Sequence, residues 1–356
     1  MKNRGFSPFR FLTYLLVIGA YAALQVLQAR SELSATMRGM LVPICAYVVM
    51  AVSLNLTVGV LGELSLGHAG FMSVGAFLGT STAIALQDRI PVAGVRLAVA
   101  LVVAAIFAAV AGFLIGIPVL RLNGDYLAIV TLAFGEIIKA IFNNLYLGVD
   151  AKGVHVSLLE DATNTAETGR LIIQGPMGIG GIQKISTFTA GFVLIMISLI
   201  VIFNLVNSRA GRAIMAIRDN PIAAQSVGVN VVKYKMMAFV VSAALAGSAG
   251  ALFAMNYSTV VANKFDFNTS ILILVFVVLG GLGNMFGSIV AAAVLTILPE
   301  ALRPIAEYRM LLYAVLLILM MLIANHPFVR GLFNRFKRTG QIQLEAGADE
   351  TEGEVA

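Results

Sequence analysis

The chain has 356 residues, of which 59% are hydrophobic and only 12% charged, and its mean hydropathy is +0.93. Soluble domains run at roughly 45–50% apolar and about 25% charged, so the composition excludes an ordinary soluble enzyme and indicates a membrane protein. The net charge of +6 does not point to nucleic acid, because the basic residues sit in short segments beside apolar runs, as orientation in a membrane requires.

Single Cys45 rules out an intramolecular disulfide, and His68, His155 and His326 are too scattered for a metal site. Apolar segments fall near residues 11–28, 40–60, 64–86, 95–119, 125–147, 187–206, 236–256, 269–299 and 308–325. A spanning helix needs about 20 mostly apolar residues, so the chain is polytopic. The first segment follows a basic head, as in a signal peptide, but the run from Phe11 to Leu27 is long for a signal core. It is read as a retained helix.

The third segment contains "LGELSLGHAG", in which Gly59, Gly62, Gly67 and Gly70 surround Glu63 and His68. Ionisable residues at membrane depth mark a path or an internal pair. Glu63 and His68 are therefore candidate pathway residues, beside helix breaks that would aim amides at a substrate carboxylate. The same glycines equally permit close helix packing, with Glu63 at a cytoplasmic turn. Asp125 follows Gly124 at the start of another span, where an acid suits a helix N-terminus. Glu136 and Lys139 stand at i and i+3 and can neutralise each other; Glu136 is kept as a third pathway candidate.

Three basic flanks, 1–10, 208–235 and 326–340, belong on the cytoplasmic side. Six segments separate the first two, which places the long loop 148–186 outside. Only three obvious segments separate the second from the third, so one must cross twice or turn back. Segment 269–299 is the candidate, because its middle reads "LGGLGNMFG" and Gly280, Gly281 and Gly283 break the helix. Arg30 and Arg38 in an outer loop oppose this map, and Glu32 partly offsets them. The expected fold is an all-α polytopic membrane protein with about ten transmembrane segments, or eight plus a re-entrant pair, and with both termini in the cytoplasm. A membrane domain would run over 1–339, and the acidic tail 340–356 cannot bury a core.

Between two apolar runs lies the polar stretch "GRAIMAIRDNPIAAQSVGVNVVKYK" (211–235). Asn220 can cap a short helix, Pro221 suits its first position, and Gly228 can end it in the left-handed conformation. Two turns from Pro221 to Val227 are too short to be stable alone. Ile222, Ala223 and Val227 are its exposed candidates, so the helix wants a groove, in this chain or in a cytoplasmic partner. Arg212, Arg218, Lys233 and Lys235 read chiefly as positive-inside anchors.

This stretch resembles the cytoplasmic "EAA" loop of ABC-importer permeases, whose coupling helix docks onto an ATPase. The pattern here is Ala223-Ala224 followed by Gly228, with Ile222 where the wider class often has Glu. The resemblance extends, in order, through "LGELSLGHAGFMSVGAF" (61–77), "LRLNGDYLAIVTLAFGEIIKAIFNN" (120–144), "GPMGIGGI" (175–182), "AFVVSAALAGSAGALFA" (238–254), "ILILVFVVLGGLGNMFGSIVAAAVLTILPE" (271–300) and "YRMLLYAVLLILMMLI" (308–323). Together these resemble the permease family of branched-chain amino-acid ABC importers, M-type subunit.

The resemblance implies a plasma (inner) membrane complex of this chain, a paralogous permease subunit, two cytoplasmic ABC ATPases and an external amino-acid-binding protein. It also implies ATPase coupling through Asn220, Pro221, Ile222, Ala223, Ala224, Val227 and Gly228. The chain has no G-x-x-x-x-G-K-[ST] loop, so ATP and its magnesium would be held by the partner ATPases, with no cofactor or metal in this subunit. Leucine, isoleucine or valine as substrate rests on the resemblance alone, since related permeases carry other amino acids, urea or amides. An ion-coupled secondary transporter is the rival from another class, opposed by the shortage of intramembrane acids. A membrane enzyme is weaker, because no G-x-S-x-G elbow or clustered catalytic set is present.

Overall fold

The computed structural model describes residues 8–30, 34–87, 89–122, 124–150, 153–157 and 170–302, together with 314, 315 and 318. The chain divides into two compact units, Met1–Ile297 and Leu298–Ala356. The expected ninth apolar segment near 308–325, most of it, and the acidic tail lie outside the described residues.

The helices are α1 (Pro8–Ala29), α2 (Ala35–Asn55), α3 (His68–Ala85), α4 (Ala93–Val119), α5 (Asp125–Asn144), α6 (Phe188–Asn207), α7 (Arg209–Asp219), α8 (Pro221–Ser226), α9 (Val231–Ala254), α10 (Phe267–Gly280) and α11 (Met285–Ala301). Seven described helical segments are long and apolar enough to cross a membrane. The helix α3, 18 residues long and rich in small and polar side chains, is mostly buried.

The centre is built from α2, α3, α4 and α9, and its packing follows from small residues. Ala100, Ala104 and Ala108 of α4 are buried, whereas Val102, Ile106, Val110, Phe113 and Leu114 of the same helix are exposed. Lipid tails are as apolar as leucine, so helices in a bilayer associate where small side chains let backbones approach. The α3–α9 contact shows this directly. A Cβ on Gly75 would overlap the backbone of Gly247, and one on Gly250 would overlap the backbone of Met72. At the periphery, α1 meets α6 through Tyr21, whose ring stacks on Phe192 with centroids 4.1 Å apart.

The expected break in segment 269–299 separates α10 from α11. Gly281 (φ +93°) and Gly283 (φ +80°) make the turn. Gly280 instead ends α10, and its role is a close crossing, because a Cβ there would lie 2.5 Å from the Gly287 carbonyl carbon. With 14 and 17 residues, the two helices are about 21 and 26 Å long, short of the roughly 30 Å hydrocarbon layer.

The membrane-crossing part is helical, as expected, and one small sheet is added to it. Three strands, β1 (Tyr146–Asp150), β2 (Gly153–Ser157) and β3 (Arg170–Gln174), form an antiparallel sheet in the order β2-β1-β3. Tyr146 faces Ser157 on one side and Gln174 on the other, with a register shift at Leu147/Gly148. Ile172 and Ile173 anchor β3 in the core. Past the sheet, Ile179 pairs with Val260, beyond the end of α9. The sheet and the α9–α10 connection therefore lie together at the end of the bundle opposite α8.

Candidate functional site

The polar stretch folds as two helices. The helix α7 begins at Ser208, whose hydroxyl accepts the Gly211 N–H at 3.2 Å, and it buries Gly211, Ile214 and Ile217 along one side. This helix was not foreseen as a separate element; its signal was the three-residue spacing of those positions. At its end, the Asn220 side chain accepts the N–H groups of Ile222 and Ala223, both at 3.0 Å. Pro221 opens α8, Val227 caps it rather than belonging to it, and Gly228 turns the chain with φ +86°.

On this six-residue helix Ile222 is 77% exposed and Ala223 is exposed as well, and Val227 at its end is 80% exposed. Ala224 is only 4% exposed and faces the protein. Two apolar side chains thus project at a short, capped helix.

Long-range contacts lead inward from α7. Arg218 at the end of α7 pairs with Asp219 at 3.2 Å and donates through Nη1 to the Gly59 carbonyl at 3.2 Å. Gly59 belongs to a π-helical turn, Leu56–Leu61, that continues α2 and ends at Gly62 with φ +82°. The Arg218 stem lies over Gly62, where a Cβ would come within 2.6 Å of Cγ. One residue on, Glu63 forms an ion pair with Lys235 of α9. Lys235 is 4% exposed, so its main role is not that of a solvent-facing anchor, as the charge pattern alone suggested. It was missed because its partner lies 172 positions away.

On the other side of the π-turn, Asn55 donates to the Ser288 hydroxyl at 2.8 Å and accepts the Gly283 N–H at 2.8 Å. The α10–α11 break is therefore held against the π-turn that Arg218 also touches. A π-turn inside an α-helix frequently marks a functional site.

Each pathway candidate is engaged by another residue, Glu63 by Lys235 as above. His68 is 1% exposed, with Nε2 2.8 Å from the Ser53 hydroxyl. Amides near the helix break are also engaged: Leu66 N–H donates to Thr131 Oγ1 and Ala69 N–H to Ser270 Oγ, each at 3.1 Å. Close packing of this glycine-rich segment is the arrangement seen, with a Cβ on Gly67 overlapping the Thr131 carbonyl. Glu136 pairs with Lys139 at 2.6 Å. Among the described residues no cluster of three or more His, Cys, Asp or Glu is placed to hold a metal ion.

Comparisons with known proteins bear on this geometry. A family model described as "Branched-chain amino acid transport system / permease component" matches residues 36–324. The chain is 36% identical over 290 residues to the high-affinity branched-chain amino acid transport system permease protein LivM of Salmonella typhimurium. It is 37% identical over the same length to the LivM protein of Escherichia coli. Each alignment covers 78% of this chain and 66% of the relative, just under two thirds of that protein's length. No solved structure matches significantly. With the family model spanning most of its length, the chain belongs to the permease components of branched-chain amino acid transport systems.

Proposed function

We propose that this chain is the M-type permease subunit of an ATP-driven importer of leucine, isoleucine and valine. It would act beside a paralogous permease subunit, two cytoplasmic ABC ATPases that bind ATP and magnesium, and an external binding protein. The observation that carries the coupling part is α8, a fixed helix whose Ile222 and Val227 project outward while Ala224 seats it on its own protein.

In this reading α8 and the chain termini face the cytoplasm, and the α10–α11 hairpin brings the crossings to about ten. A partner ATPase grips Ile222 and Val227, and its movement displaces α7 and α8 as a body. Arg218 passes the displacement to Gly59 and Gly62, and Asn55 passes it to the hairpin turn at Gly283. Glu63–Lys235 keeps α9 in step.

The test is uptake of radiolabelled leucine, isoleucine and valine by vesicles holding the full complex, with each component omitted in turn. Strict dependence on every component and on internal ATP is expected. Uptake by this chain alone, or uptake driven by an ion gradient without ATP, would overturn the reading.

A further inference from the structure

We propose that the cavity at the end of the bundle opposite α8 binds the amino-acid substrate as a zwitterion. The cavity measures about 420 Å³ and lies among α2, the end of α9 and the α9–α10 connection. That size falls within the roughly 300–1,000 Å³ of small-molecule sites. The proposal rests on the importer reading above and adds a site to it.

Two opposite charges line this one cavity, Lys264 and Asp266. They are not paired with each other, and Lys264 makes no ion pair among the described residues. Its Nζ rests 4.6 Å from the centroid of the Tyr257 ring. Asp266 caps α10, accepting the Thr269 N–H and the Asn268 side-chain amide, both at 2.9 Å. A carboxylate offers about four lone-pair positions, so two such bonds fix its direction and leave capacity for an ammonium donor. Lys139 of α5 also acts on Asp266 electrostatically, but it is engaged by Glu136.

The wall also carries aromatic and apolar side chains. Tyr47 meets Phe253 edge to face at 5.7 Å, and Phe253 contacts Tyr257 at 5.0 Å. Met40 adds a flexible apolar surface. An α-carboxylate on Lys264, an α-ammonium on Asp266 with help from the aromatic faces, and a branched aliphatic side chain against Met40 and Phe253 would satisfy every element. The helix α9, 24 residues long and so about 36 Å, separates this cavity from α8. It therefore opens on the face where an external binding protein would release its ligand.

The experiment uses the full complex in vesicles and two variants, Asp266→Asn, which retains a capping side chain, and Lys264→Gln. Uptake of leucine at saturating binding protein should fall about tenfold or more in each, as expected for losing a hydrogen bond to a charged group, with unchanged melting temperature. A second readout is maleimide labelling of Thr296→Cys, placed on the cavity wall, in a Cys45→Ala background. Leucine should slow that labelling, whereas 3-methylbutylamine and 4-methylpentanoate, each lacking one charge, should not. Wild-type uptake rates in both variants, or no protection by leucine, would overturn the site while leaving the importer reading intact. Failure of the wild-type complex to transport leucine would instead overturn the importer reading.

Discussion

Lys235 enters the start of α9 almost without exposure and meets Glu63 on the loop after the π-turn. Removing one member of a buried pair leaves the other charge unpaired and costs about 3–5 kcal/mol, while replacing both with uncharged residues is often neutral. Lys235→Met should therefore lower thermal stability of the purified chain sharply, and the double variant Glu63→Gln/Lys235→Met should recover most of it. Gly228 presents a backbone problem of another kind. At φ +86° a β-branched residue costs about 1–3 kcal/mol, so Gly228→Val should loosen the end of α8, detectable as faster proteolysis between α8 and α9. The caps Asn220 and Gly228 were legible in the sequence because capping is settled within four residues. The Glu63–Lys235 pair was not, because nothing local tells an anchor lysine from a buried one.

The helix α8 separates two kinds of position that a pattern of small apolar residues cannot tell apart. Ala224 faces inward, so Ala224→Arg would disturb the seat of the helix as well as any docking, and its failure would be ambiguous. Ile222→Asp and Val227→Asp change only side chains that are mostly exposed. Each should reduce uptake by the full complex at least about tenfold, as loss of an interface anchor worth more than 1.4 kcal/mol would, with the level and melting temperature of the chain unchanged. Normal uptake by both would remove α8 from the coupling route. Deeper in, Asn55→Leu would strand the Gly283 N–H that its side chain now accepts. Losing such a hydrogen bond costs about 0.5–1.5 kcal/mol, to be read as a drop in melting temperature. The broken hairpin was foreseen from its glycines, whereas Asn55 as its clamp was not.

Across the bundle, the α3–α9 crossing depends on the absence of side chains. Gly250→Leu would force the helices apart and should leave little folded protein by size-exclusion chromatography, in contrast to substitutions on the outward side of α4. The two ends of the molecule can be told apart chemically, since Cys45 is buried and is the only cysteine. In a Cys45→Ala background, Val227→Cys and Met177→Cys place thiols at exposed positions on opposite ends. Impermeant maleimide should label Met177→Cys in intact cells and Val227→Cys only in inverted vesicles. Labelling of both from one side would refute the proposed orientation.

Most helix positions and the family could be read from the chain itself, because a bilayer imposes apolar length and because turn and cap residues act on their immediate neighbours. The six ordered motifs pointed to the family whose model matches residues 36–324. The β1–β3 sheet escaped notice, since its strands are short and interrupted by glycine and charge, and it forms only when β1 finds partners on both sides. Only the folded structure decided that α7 reaches the π-turn, that Asn55 holds the hairpin 228 positions later, and that Lys264 and Asp266 line one cavity without pairing. Such arrangements depend on which helices pack together, and hydropathy, which drives every span into the membrane alike, does not choose their neighbours.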